Sequence, residues 1–530
     1  MFNFFFNSVA KREHTESFNW QIDNVLSWSQ TFGDHRVEAS FIQNAEKRQA
    51  WYTRAYGWDF SPSDALSYHG LYNAQSSSVG STDTYQTADA LVGRLFYQFK
   101  GRYMFNATVR HDGYSGFGAD YKRGTFPAIS AAWTFSEEPF AKGINWLNYG
   151  KLRLSWGING HRNGSVGLSA INSASNYLEI DANGNPIKLT GMVISASNSG
   201  LRWEKTEAEN IGLDFGLFKG LIDGTVDLYT AYTTDLIATR TMPTISGFGG
   251  TWDNVSANVG SLRNKGLEVT VNIHPFRNQN FKWDTSVMFE TFRRKLISLG
   301  LGTTDILDEN GNVIGQREAD DVSNGWYIGH DPDEIRDYVQ DGVWQVDEAA
   351  QAEVYGCKPG DFKYVDQDGD GVLNDADKVF TGRLFSAPYI ISWNNTFTLW
   401  KDLTFSFMMY AHLAQWGILN EAANQVGSNY NWYDQPIWTE DNPIDDYARI
   451  NSINLGNHWV SRSFIRMDNI TLNYNLPKNF LKKINIQSAS LSLSARNPFM
   501  ITKWPFGDPE NYRNYVYGLK TYNLGINITL

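Results

Sequence analysis

Residues 102–112 alternate Tyr103, Phe105, Ala107 and Val109 with Met104, Asn106, Thr108 and Arg110. The same two-residue period returns at 210–217 (Ile211, Leu213, Phe215, Leu217), at 267–274 (Leu267, Val269, Val271, Ile273) and at the carboxyl end (Tyr522, Leu524, Ile526, Ile528, Leu530). Successive side chains of an extended chain point to opposite faces, so each segment is a strand with one apolar and one polar face. Very short connections, Phe32-Gly-Asp-His35, Phe99-Lys-Gly-Arg102, Phe218-Lys-Gly220 and Leu399-Trp-Lys-Asp402, join such segments in pairs. Long polar stretches separate the pairs, near 55–86, 113–124, 159–205, 235–257, 297–385, 415–461 and 498–517. The pattern reads as about 15 antiparallel strands in an all-β chain.

Tight turns on one side and long loops on the other are the asymmetry of a transmembrane β-barrel, whose strands need about 9–11 residues to cross. Aromatics beside the turns (Phe32, Phe99, Tyr103, Phe218, Trp283, Trp400) stand where an interfacial girdle places them. A soluble sandwich also alternates in this way, so periodicity by itself leaves it open. A propeller would repeat a motif at a fixed period, and none repeats here.

Composition narrows the choice. Aromatics make up 15% of the 530 residues and charged residues only 19%, with a net charge of −12. An acidic chain lacks the basic face that displaces counterions from nucleic acid. No apolar run reaches the roughly 18 residues of a spanning helix. The amino terminus, Met-Phe-Asn-Phe-Phe-Phe-Asn, has no basic region and too short an apolar run for a secretory signal, so the expectation is a chain that begins inside a longer protein. Cys357 is the single cysteine, so no internal disulfide forms. It stands in a polar loop without a nearby histidine, unlike an activated nucleophile.

The densest chemistry lies at 366–377. Asp366, Asp368, Asp370, Val372 (through its carbonyl), Asn374 and Asp377 fall at the spacing by which one loop wraps Ca²⁺, and Gly371 allows the sharp turn. Asp377 stands where a longer, bidentate Glu is usual. The flanks are not strongly helical, which argues against a helix–loop–helix site. A solvated acidic loop built from Asx turns is the competing reading.

Several stretches, in order along the chain, resemble SusC/RagA-type TonB-dependent transporters of Gram-negative outer membranes. They are Val109-Arg-His-Asp-Gly-Tyr-Ser-Gly-Phe-Gly118, Lys151-Leu-Arg-Leu-Ser-Trp-Gly157, Leu201-Arg-Trp-Glu-Lys-Thr206, Asn258-Val-Gly-Ser-Leu-Arg-Asn-Lys-Gly-Leu-Glu268, Pro359 to Gly371, Ser463-Phe-Ile-Arg-Met-Asp-Asn-Ile-Thr-Leu472 and Ala495-Arg-Asn-Pro-Phe499. The resemblance covers about residues 90–530. It implies the carboxyl-terminal portion of a 22-stranded barrel, with the plug and first strands not recognisable in the sequence. It also implies import of oligosaccharides or peptides across the outer membrane, with a SusD-like surface lipoprotein as partner. Energy would come through TonB, engaged by the missing amino-terminal part. The terminal Leu530, where an aromatic is usual, and the stretch Gly382–Pro388 depart from the family pattern.

In such an importer, loop aromatics would stack on substrate. The candidates are Trp51, Tyr56, Trp58, Trp326, Tyr430 and Trp432, with Trp438 nearby. No zinc-ligand spacing, nucleophile elbow or phosphate loop is present, and adjacent carboxylates such as Glu137-Glu138 point to opposite strand faces, so no enzymatic activity is expected. The alternative is a secreted or surface β-rich glycan-binding protein with a Ca²⁺-ordered loop. The two differ in where the apolar strand faces look: outward to lipid, or inward to a core.

Overall fold

The computed structural model describes residues 9–60, 70–162, 171–172, 178–180, 186–188, 192–193, 198–241, 254–307, 311–418, 436–450, 452, 459–505, 507–511 and 518–530. Among the described residues, fifteen strands in chain order carry the main sheet. They are β1 (Val9–Phe32), β2 (His35–Trp58), β3 (Ser76–Phe99), β4 (Tyr103–Tyr114), β5 (Arg123–Trp133), β6 (Leu147–His161), β7 (Glu204–Leu217) and β8 (Ile222–Thr234). Then come β9 (Ser261–Arg277), β10 (Phe281–Ser298), β11 (Tyr389–Leu399), β12 (Leu403–Leu413), β13 (Phe464–Asn475), β14 (Ser488–Arg496) and β15 (Thr521–Thr529). Each pairs with its sequence neighbours, and a sixteenth strand, Met500–Thr502, pairs with β13 off this path. No helix among the described residues is long and apolar enough to cross a membrane.

Two compact units make up the chain: 1–133 with 154–209 and 232–261, and 134–153 with 210–231 and 262–530. In the first, β1, β2 and β3 are each 24 residues long. That is more than twice what a membrane crossing needs. The stretch 55–86, which reads as a loop, is in large part strand. Its Ser- and Thr-rich residues from Ser76 on have no apolar face to alternate, yet their backbone continues the ladder with β2, from Ser76 opposite Trp58 to Phe99 opposite His35. At the short-turn end, aromatic side chains line up in register. Phe32 faces His35, His35 faces Phe99, Phe99 faces Tyr103, and Tyr103 faces Trp133. The turn between β3 and β4 takes Lys100 and Gly101 through left-handed backbone (φ 51° and 68°), a conformation glycine adopts without steric cost.

The second unit repeats the pattern. Trp283, Phe397 and Phe405 stand side by side on β10, β11 and β12, with ring centroids 5.6 and 6.1 Å apart. On β14 and β15, Leu493 faces Leu524 and Leu491 faces Ile526. These apolar side chains are exposed, with Leu524 at 76% and Ile526 at 62%. The same exposure holds in the first unit for Leu95, Phe105, Val109 and Ile129. A lectin-like sandwich would bury these faces in a dry centre, and that expectation fails here. In the first unit the buried hydrophobic cluster sits at the long-connection end of β3–β5, around Phe117, Phe126, Leu201 and Trp203. In the second, the buried clusters belong to the folded long connections.

Candidate functional site

The connection between β10 and β11 folds on itself. Strand Glu334–Asp337 pairs with Val379–Leu384, and Gln340–Val343 pairs with Phe362–Tyr364. Val343, Phe362 and Tyr364 form its core together with Trp438 and Ala448 of the connection between β12 and β13. A second cluster packs Trp344, Ala352 and Cys357 together. Burial, with Asp361 close by, pushes the Cys357 thiol above its ordinary value, the reverse of what a nucleophile needs. Strand Phe362–Tyr364 delivers the chain into the acidic loop, and a single 3₁₀ turn, Asp375–Asp377, leads out to Val379. The flanks are therefore strand and 3₁₀ turn rather than two helices.

Arg336 holds this loop in place. Its guanidinium lies 3.0 Å from the Asp375 carboxylate and donates to the Asp375 carbonyl at 2.7 Å. Asp366, Asp368 and Asp370 bring carboxylate oxygens within 4.8 Å of one another. Asp366 accepts from the backbone N–H groups of Gly369 (2.7 Å) and Gly371 (2.8 Å), and from the Tyr355 hydroxyl at 3.3 Å. The Gly371 N–H is the main reason its carboxyl stays below the ordinary value. Gly371 itself takes φ 80°. Asp368 behaves differently. The Asp370 N–H works to lower it, but desolvation, the charges of Asp370 and Asp377 and its contact with Asp366 hold it above the ordinary value. That is the signature of crowded like charges.

The remaining three residues close the loop. Asn374 donates to the Val372 carbonyl at 3.1 Å and accepts from Ala376 N–H at 2.8 Å. Asp377 is fully buried and accepts from the N–H groups of Gln367 and Asn374, both at 2.8 Å. An ionised carboxylate has about four acceptor positions, so these bonds leave each Asp with lone pairs to spare. An all-oxygen set with crowded carboxylates suits a hard cation such as Ca²⁺.

The candidate substrate aromatics are dispersed. Tyr56 and Trp58 stack at 5.8 Å near the end of β2, with Arg54 over the Tyr56 ring at 5.5 Å. Trp51 is on the same strand but of opposite parity, so it faces the other way. Trp326 closes a turn by bridging to Asp321. Tyr430 and Trp432 lie outside the described residues. Trp438 is not a free loop aromatic. It is 5% exposed in the loop core, and its indole N–H donates to Gln345 at 2.9 Å.

Sequence reasoning missed a cleft of about 1270 Å³, lined by stretches from 338–348 and 379–383 and by Lys363 in the β10–β11 connection, and by 445–447 and Trp459 in the β12–β13 connection. Its residues are scattered over more than a hundred positions and carry no motif.

Residues 3–497 match the family described as "TonB dependent receptor-like, beta-barrel". The chain belongs to this family. It is an outer-membrane protein. It is 30% identical to the TonB-dependent receptor SusC of Bacteroides thetaiotaomicron over 446 residues, 80% of this chain and 42% of that protein. It is 27% identical to TonB-dependent receptor P3 of Formosa agariphila over 529 residues, 98% of this chain and 51% of that one. Its fold is that of the RagAB peptide transporter, with TM-score 0.79, 21% identity, and coverage of 98% of this chain and 56% of that one. The chain thus spans about half the length of the curated relatives it matches.

Proposed function

We propose that this chain works in TonB-dependent import of oligosaccharides or peptides across the outer membrane, in a complex with a SusD-like surface lipoprotein. Its strands are read as part of a 22-stranded barrel. The observation that carries this reading is the exposed apolar face of the main sheet, with aromatic rows at its short-turn end. Apolar surface of that extent is stable against lipid and not against water. The folded connection between β10 and β11 is then the outward, ligand-facing element, and Ca²⁺ at Asp366, Asp368, Asp370, Val372, Asn374 and Asp377 keeps it ordered by neutralising crowded carboxylates. The test is genetic and biochemical. Deleting the gene should abolish growth on one class of oligosaccharide or peptide. The protein should fractionate with outer membranes and co-purify with a surface lipoprotein. Unchanged growth on every oligomeric nutrient, with the protein in the soluble fraction, would overturn the reading.

A further inference from the structure

The cleft lined by the β10–β11 and β12–β13 connections is more acidic than its surroundings need it to be. Five carboxylates line it, Asp341, Asp347, Glu348, Asp445 and Asp446, against only Lys363 and Arg383. Lys363 is already matched by Glu348 at 2.7 Å and lies over the Trp344 ring at 4.7 Å. Arg383 is stacked on Trp416 at 4.0 Å. Asp445 accepts from Gln345 at 3.0 Å. The charges of Asp341 and Asp445 also act on Lys363 through space. Among the described residues, the side chains of Asp341, Asp347 and Asp446 make no direct hydrogen bond or ion pair, although all three line the same space.

The remaining walls are aromatic: Tyr338, Phe380, Tyr447 and Trp459. Two are fixed in advance. Trp459 donates to Asp337 at 2.7 Å, and Phe380 stacks on His330 with centroids 3.4 Å apart. Rings held in this way accept a ligand with little ordering cost.

We propose that this cleft binds a peptide segment bearing lysine or arginine side chains. The volume exceeds the roughly 300–1,000 Å³ of small-molecule pockets, so it admits a stretch of chain. The acids do not chelate one ion. Among the described residues, the trio close enough to share a metal is Asp366, Asp368 and Asp370, which does not line the cleft. Separate carboxylates call for separate positive charges on one ligand. Uronic or sulfated glycans would be repelled, and neutral glycans would leave the charges unmatched. Lysine and arginine carry the charge at the end of an apolar stem, which can lie along the rings while the head reaches a carboxylate. Ammonium groups fixed directly on sugar rings lack that reach. This deepens the import reading and takes its biological sense from it, while binding is measured independently of transport.

The test uses the full-length protein in detergent and fluorescent heptapeptides with three lysines, three glutamates or neither, alongside a chito-oligosaccharide of equal length. The tri-lysine peptide should bind with the highest affinity and weaken as salt is raised, because exposed charge pairs are screened. Asp341→Asn with Asp446→Asn should weaken it about fivefold, the scale of two exposed ion pairs, and leave the neutral peptide unchanged. Neither side chain makes a described hydrogen bond or ion pair, so the variant should fold, which unchanged melting would verify. Equal binding of lysine and glutamate peptides, undiminished binding by the variant, or preference for the amino-sugar oligomer would each overturn the proposal. Outer-membrane fractionation of the same preparation reports separately on the import reading.

Discussion

Leu493 and Leu524 stand directly opposite each other on β14 and β15, and both are more than half exposed. Two leucines paired in the open are unfavourable in water and ordinary against hydrocarbon. Leu493→Lys should therefore cost about 2–4 kcal/mol of stability in the membrane, less near an interface. The measurement is the folded fraction in lipid vesicles across a denaturant series. A lysine variant as stable as the wild type would show that this face does not meet lipid.

For the acidic loop, calorimetry with Ca²⁺ should give a binding heat for the wild type that Asp368→Ala loses. Equal heats in both would discard the site. Chelation should lower protection of the 366–377 amides from exchange.

The same loop has a definite pH response. Asp366 is held below its ordinary value, so it stabilises the loop at neutral pH, and that contribution disappears only as pH falls through its lowered folded value. Asp368 is held above its ordinary value, so its charge opposes folding at neutral pH, and protonation relieves it first. In chelator, mild acidification toward the usual Asp value of about 4 should tighten the loop before stronger acid loosens it. Ca²⁺ affinity should fall over that first step, since a proton at Asp368 competes with the cation. Exchange protection and calorimetry across the acid range would read both. Affinity independent of pH would contradict the assignment.

Phe362 is 1% exposed at the centre of the loop core. Phe362→Ala should cost about 3–5 kcal/mol locally. The consequence expected is rapid proteolysis within 334–384 while the protein still assembles in the membrane. A variant whose loop resists protease like the wild type would show that this core does not hold it.

Arg466, near the start of β13, is 6% exposed and lies 2.5 Å from Asp508 and 3.0 Å from Glu510. Removing one partner of a buried pair strands the other, at a cost of about 3–5 kcal/mol. Arg466→Met should accordingly free the segment around 507–511, seen as faster amide exchange there than in β13. Unchanged exchange would mean the pair is not what anchors it.

Two-residue periodicity was enough to mark β4, β7 and β15 as strands, because a half-lipid, half-polar wall forces apolar side chains into alternation. Tight turns against long connections gave the barrel class, and the Asp366–Asp377 spacing gave the loop, since both are local in the chain. The polar ends of β1–β3 were illegible. Their pairing is set by backbone hydrogen bonds to neighbours rather than by any apolar pattern. Trp438 read as a free aromatic because nothing local reveals that Val343 and Phe362, some eighty to a hundred positions earlier, close over it. The acidic cleft, and the pinning of Asp375 by Arg336, exist only once distant strands have paired. Sequence determines which way each residue of a regular strand faces. Which loop residues share a surface depends on contacts between segments far apart in the chain, and folding alone decides those.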